Sequence, residues 1–431
     1  MMNRKAFVSN SLLGLSGSLI LGDLNASNVP QNEEVKFSLE DLKTGNKLPD
    51  NEAYWKKVAT FFHRPVGFTQ LEHGYFSHQP QTTLNFNQLA ERNINTQTSE
   101  FMRTIQFNEI EKSRKALAVF LGVDPEELAI TRNTTESLNI VIMGLNWKPG
   151  DEVVIGNQDY GSMVEAFQQA AARFGIVIKV ANVPLLPKSA ADVTDAYTSL
   201  FTSKTKLVHL THTINLTGQV IDCNAIAKEA RAKGILVAVD AAHSTAHVID
   251  KIGSLDADFI GGSLHKWLCT PVGVGYLVMK KQMIDSVWPL MGDVGVAKNN
   301  IRKFEHQGTR PIHSIQSIIP AIEFHNAIGF EAKLARLQYL KYSWLKQVDG
   351  KNGLRCISPW SGGYFGPQGG AIATIQKENY TPNQLSAKLM ADYKIFTVAI
   401  DHPIVKGVRV TPHLSNAIED ISYFAASLLK F

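Results

Sequence analysis

Between about Glu52 and Met279 the apolar residues fall into two alternating rhythms. "LAIT" (128–131), "EVVIG" (152–156), "VIKVANV" (177–183), "KLVHLTH" (206–212), "LVAVD" (236–240), "DFIGGS" (258–263) and "VGYLVM" (274–279) are short and mostly β-branched or apolar, which predicts strands. Between several of them lie stretches of helical spacing, such as "GSMVEAFQQAAARFG" and "NAIAKEARAKG", each stopped by glycine. Strands alternating with helices predict an α/β fold, a mainly parallel sheet with helices on both faces. Ligands of such sheets bind at the carboxyl ends of the strands. After about Ile318 the pattern changes to a long helical stretch, "IIPAIEFHNAIGFEAKLARLQYLKYSWLKQV", then short strands and the helix "NQLSAKLMADY". This predicts a second, smaller α+β domain. There is no internal repeat and no low-complexity linker.

The N-terminus has a different texture. "MMNRKAFVSNSLLGLSGSLILGDLNAS" runs from a basic start through an apolar stretch to Leu24-Asn25-Ala26, the order of regions in a secretory signal, and its apolar run is too short for stable membrane insertion. Residues 1–26 are therefore set apart from the fold as an export signal. "NRKAFVS" resembles the twin-arginine type, with Lys5 in place of the second arginine, and implies a periplasmic destination; the alternative is a cytoplasmic protein with a slightly hydrophobic tail.

Composition narrows the class. With 431 residues, 44% hydrophobic and 19% charged, the chain can bury a large core. Its 43 basic and 39 acidic residues are scattered, so no basic face for nucleic acid is evident. Cys223, Cys269 and Cys356 are widely spaced and form neither a C-x-x-C pair nor a disulfide framework.

The ends of the predicted strands carry the chemistry. In "ITRNTTESLN" a strand stops near Thr131 and a helix starts near Thr134, with Asn133 and Glu136 spaced like a capping box. A helix start bearing free N–H groups and hydroxyls is a natural anion site, although Asn133, Thr134 and Thr135 could also be a simple cap. "LVAVDAAHS" leaves Asp240 at the end of an apolar strand, where a carboxylate needs a cationic partner or several donors. One strand unit later, "GGSLHKWLCTPVGVGY" places Lys266 in buried surroundings, where an ammonium is costly. An amine, a carboxylate and an anion-binding helix start at one sheet edge form the trio that pyridoxal phosphate requires.

"DAAHS" followed by "SLHK", together with "NTTESLN", "THTINLTGQVID" and "FEHQGTR" in that order, resembles the class V aminotransferases among the pyridoxal-phosphate enzymes of fold type I. The "VRVTPHLSN" and "DYGSM" forms resemble the isopenicillin N epimerase-like branch. The resemblance runs from about Gly67 onward. It implies a large cofactor-binding domain at 66–320 with a seven-stranded type of sheet, a small domain at 321–431, and a segment at 27–65 packing on the small domain. It also implies that Lys266 is the Schiff-base lysine, that Asp240 holds the ring nitrogen protonated, and that His243 and Asn215 lie beside the phenolic oxygen. Thr134, Thr135, Ser263 and His265 would hold the phosphate, Tyr160 would stack on the ring, and Arg409 would clamp a substrate carboxylate, unless it serves a structural ion pair. Thr309 would reach the phosphate of a neighbouring subunit, which implies a homodimer. The small residues around Lys266 would be clearance for the cofactor.

The implied reaction works on a small amino-acid substrate through an external aldimine and an α-carbanion. It leads to epimerisation or carbon–sulfur cleavage, with transamination or an inactive binding protein as alternatives. "DYKIFTVAIDHPIVKGVRV" contains no cysteine, which argues against persulfide-forming desulfurase chemistry. His209 and His212 would face opposite sides of a strand, which disfavours a zinc site. The glycines of "VGVGY" lead into a strand rather than a helix, which disfavours dinucleotide binding.

Overall fold

The strands end where their β-branched runs end. The computed structural model describes residues 38–360 and 369–431, so the expected export signal lies outside the described residues. In chain order the strands are β1 (Thr69–Gln70), β2 (Leu128–Thr131), β3 (Glu152–Gly156), β4 (Val177–Ala181), β5 (Thr205–Thr211), β6 (Leu236–Asp240), β7 (Phe259–Ser263) and β8 (Gly275–Met279), then β9 (Leu354–Cys356), β10 (Ala373–Lys377), β11 (Ile395–Phe396), β12 (Val398–Asp401) and β13 (Lys406–Val410).

Seven of them form one sheet in the order β2-β8-β7-β6-β5-β3-β4. β8 runs antiparallel to both neighbours, and the other pairs are parallel. Alternate residues explain why both faces are covered. Val153, Ile155, Leu207, Ala238 and Phe259 share a core with the helices Thr134–Gly144 and Gly161–Phe174. Val154, Val208, Val237 and Val239, which point the other way, are just as fully buried.

The antiparallel sheet β12-β13-β10-β9 packs on the helices Phe330–Val348 and Ile418–Leu428. Trp344 meets Phe424 there at 5.3 Å. The described residues belong to one compact unit, Phe37–Phe431.

Two features depart from the sequence pattern. The long helical stretch after Ile318 is two helices, Ile318–Ile328 and Phe330–Val348, broken at Gly329 with φ 92° and ψ 145°. That conformation is nearly closed to any residue with a Cβ. β1, expected on the large-domain side, pairs in parallel with β11, and Leu71 joins the core beneath the small sheet.

Residues 38–65 lie against the C-terminal helices. Lys47 donates to the carbonyls of Ala327 and Ile328 at 2.8 Å, Arg336 pairs with Glu52, Lys56 with Glu419 at 2.7 Å and Arg64 with Asp420 at 2.6 Å.

Candidate active site

A cavity of about 290 Å³ opens at the carboxyl ends of the parallel strands. It receives Thr134 and Thr135 after β2, Tyr160 after β3, Asn215 after β5, Asp240 and His243 from the end of β6, and Ser263, His265 and Lys266 from the end of β7. Arg409 enters from β13 of the small sheet. These residues, spread over the sequence from 134 to 409, meet because a parallel sheet puts all its strand ends on one edge. Thr309 is exposed and lies outside this cavity. Its loop is tethered by Gln307, which donates to both carboxylate oxygens of Glu136 at 2.8 Å.

At the anion end, Asn133 caps its helix by accepting from the Glu136 amide at 2.9 Å. The capping box is only half formed, because the Glu136 carboxylate accepts from the Arg132 amide instead, at 2.6 Å. Ser263 Oγ accepts from the Thr134 amide at 3.0 Å and lies 2.8 Å from the Thr134 hydroxyl, which ties the end of β7 to the helix start. The ring atom His265 Nδ1 and the amide oxygen Asn215 Oδ1 are buried without partners. Polar atoms are seldom left so, and both belong to residues lining the cavity.

At the centre, Lys266 Nζ lies 3.0 Å from His243 Nε2. Burial lowers the Lys266 amine from the ordinary lysine value to about 8; Arg409 pushes the same way, while Asp240 and Glu72 oppose. Burial also drives the His243 imidazole well below the usual histidine range, helped by Lys266 and Arg409, so the ring is neutral. Burial raises the Asp240 carboxyl, against the pull of His209, the Ala242 amide and Lys266. Asp240 Oδ1 accepts from the Ala242 amide at 2.9 Å. Such a carboxyl is set to pair with a cation that enters the cavity.

Arg409 is already engaged. Its Nη2 and Nε donate to Glu72 at 2.6 and 3.2 Å, and its Nη1 donates to the Asn215 carbonyl at 3.0 Å. Arg409 and Glu72 are both buried, so removing Glu72 alone would leave a buried charge at a cost of about 3–5 kcal/mol. The structural ion pair is therefore real, and it leaves two of the five guanidinium N–H groups for a ligand.

Glu72 was not legible as a site residue, nor were Asp159 and His209. His209 Nδ1 lies 3.0 Å from Asp159, whose other oxygen accepts from Thr211 at 2.7 Å. His209 shows in the chain only as a polar residue inside the otherwise apolar β5, and Asp159 only as a polar residue of the turn after β3. Thr211 pairs in register with Asp240, which puts this group on the sheet beside that carboxyl.

The glycines around Lys266 are a correction. A Cβ on Gly261 would meet Leu138, one on Gly262 the Tyr276 ring, and one on Gly275 the backbone of Asn133. Their smallness makes room for protein, and of the glycines in this stretch only Gly273 lines the cavity. Among the described residues no group of histidine, cysteine and carboxylate side chains is arranged to hold a metal ion, and no helix is long and apolar enough to cross a membrane.

An amine, a buried carboxyl and an anion cradle at the carboxyl edge of this sheet define a pyridoxal-phosphate enzyme of fold type I. The sequence profile described as "Aminotransferase class-V" matches residues 77–397, and the chain belongs to that family. It is 25% identical over 335 residues to an isopenicillin N epimerase of Streptomyces clavuligerus, covering 74% of this chain and 83% of that protein. It is 26% identical over 337 residues to a probable cysteine desulfurase of Pyrococcus abyssi, covering 74% and 82%. Among solved structures, the cystine C-S lyase C-DES in complex with cysteine persulfide shares the fold with a TM-score of 0.75 at 22% identity, over 85% of this chain and 98% of that one.

Proposed function

We propose that the chain carries pyridoxal phosphate on Lys266 and acts on an amino acid by removing its α-proton, in a reaction of the epimerase or carbon–sulfur lyase kind. One observation carries this reading: an amine lowered to about 8 and a buried, raised carboxyl share one cavity with a helix start built for an anion. Bound there, the cofactor supplies an aldehyde that condenses with amino groups and a ring that spreads the electrons left when a bond to the α-carbon breaks.

The protein's own groups do the rest. Asp240 would pair with the ring nitrogen, Thr134, Thr135, Ser263 and His265 would hold the phosphate, and Tyr160 would pack on the ring. Lys266 Nζ, its proton affinity lowered toward neutral pH, takes the α-proton and returns it. The free N–H groups of Arg409 orient the substrate carboxylate while Glu72 holds the guanidinium still.

The thiols favour this reading over a persulfide-forming one. Cys223, Cys269 and Cys356 are all buried. Burial raises all three, Cys269 to about 11 and Cys356 to about 12, so none supplies a thiolate near neutral pH. The epimerase named among the relatives points the same way.

The test is a panel of amino acids incubated with the cofactor-loaded chain in deuterated water. At least one should exchange its α-proton with the unaltered chain and none with Lys266→Ala. No exchange by any amino acid, in protein shown to hold its cofactor, overturns the proposal. We also propose that Thr309 completes the phosphate site of a second copy, so the active form is a homodimer. Sedimentation should show a dimer, and a fully active monomer would contradict it.

A further inference from the structure

Behind the Lys266–His243 contact lie two short sets of directed hydrogen bonds, joined by one pair of stacked rings. The Ala371 amide donates to His247 Nε2 at 2.7 Å. With that nitrogen occupied as an acceptor, neutral His247 carries its proton on Nδ1, which lies 2.7 Å from the His243 carbonyl and donates to it. The His247 ring is stacked on the Trp267 indole, 3.7 Å between centroids and 11° from parallel. The Trp267 indole N–H, which can only donate, points at His243 Nδ1 at 3.3 Å. His243 therefore accepts on Nδ1 and bears its own proton on Nε2, the atom 3.0 Å from Lys266 Nζ.

An N–H aimed at a lysine nitrogen is satisfied only if that nitrogen offers a lone pair. Gly370 makes the first link possible, because a Cβ there would fall 1.7 Å from His247 Nε2.

We infer that Trp267 is a positioning residue that fixes the tautomer of His243, with His247 stacked on the indole to hold it in place, so that the His243 Nε2–H favours the uncharged form of the Lys266 amine. The inference rests on Lys266 being the cofactor-bearing amine only for its use in catalysis, since the bonds themselves involve the protein alone. The charged and titratable groups facing this pair are Asp240 on β6, Arg409 on β13, Glu72 after β1, and His265 and His247 on either side. Of these, Asp240 and Glu72 favour the ammonium and Arg409 opposes it. The His243 N–H adds to the opposing side, because a hydrogen bond to the neutral form disfavours the charged one.

The experiment uses the full chain freed of cofactor. Competitive acetylation across pH 6–11, read by mass spectrometry, gives the titration midpoint of individual lysines, and ¹⁵N shifts of the histidine rings give their tautomers. In the unaltered chain His243 should be the Nε2–H form; an Nδ1–H form overturns the inference whatever any variant does.

Trp267→Phe keeps a ring to stack on His247 and removes the N–H. His243 should then gain the Nδ1–H form, turn an acceptor toward Lys266, and raise the Lys266 midpoint by about one pH unit, the worth of one hydrogen bond. Lys333 is the control. It is lowered to about 8 by burial and donates to the Trp267 carbonyl, which the substitution keeps.

A rise confined to Lys266 supports the inference. Equal rises at Lys266 and Lys333, the mark of a loosened core, or no rise at all, overturn it. Failure to trap the cofactor on Lys266 would sink the proposed function without altering these readings.

Discussion

Asp240 has been taken out of water at the end of an apolar strand and given a single backbone donor, so it keeps an unmet demand for positive charge. Lys266 is in the complementary position, an amine held near the point where it can gain or lose a proton. If Asp240 serves the ring nitrogen, Asp240→Ala should still take up pyridoxal phosphate but lose turnover by about two orders of magnitude, as when other preorganised charges are removed from active sites. Cofactor absorbance and initial rates on the same preparation check this, and unchanged turnover would remove Asp240 from the chemistry. Asp240 and Lys266 could be read in the chain because a charged residue ending an apolar run is anomalous locally. Glu72 could not, because its partner Arg409 lies 337 residues away and Glu72 alone looks like an ordinary surface charge. Trp267 sits beside Lys266 in the chain, but its role depends on where its N–H points, and only the folded chain fixes that.

The strands of the large sheet were legible because both their faces are buried, which demands short unbroken apolar runs. "LAIT", "EVVIG" and "LVAVD" coincide with β2, β3 and β6 residue for residue. Helices stopped by glycine were equally plain, as at Gly175, which takes the left-handed conformation after Phe174. What the pattern concealed was the break at Gly329, since apolar spacing continues in phase on both sides of it. It also concealed the pairing of β1 with β11, a two-residue contact too short to leave a pattern. The glycines near Lys266 show the same limit: their smallness was visible, but whether it clears a ligand or a neighbouring side chain is decided by packing from Leu138 and Tyr276.

As a whole, the molecule builds one site from two sheets. The large sheet supplies the anion cradle, the carboxyl and the amine; the small sheet supplies Arg409; and the stretch after β1 supplies Glu72, which locks the guanidinium in place. Residues 38–65 join the C-terminal helices through Glu52, Lys56 and Arg64, so the helices that pack on the small sheet are braced in turn. Family membership and the sheet topology together point to the carboxyl edge of the large sheet as the cofactor site, and under the proposed function the choice of reaction would depend on groups brought together across these parts.

The central claim, that the cofactor is held by Lys266, is tested most directly by reducing the loaded protein with borohydride and mapping the modified peptide by mass spectrometry. A pyridoxyl group on Lys266, absent from Lys266→Ala, is the predicted result. The same group on another lysine, or equal trapping in the variant, would contradict it.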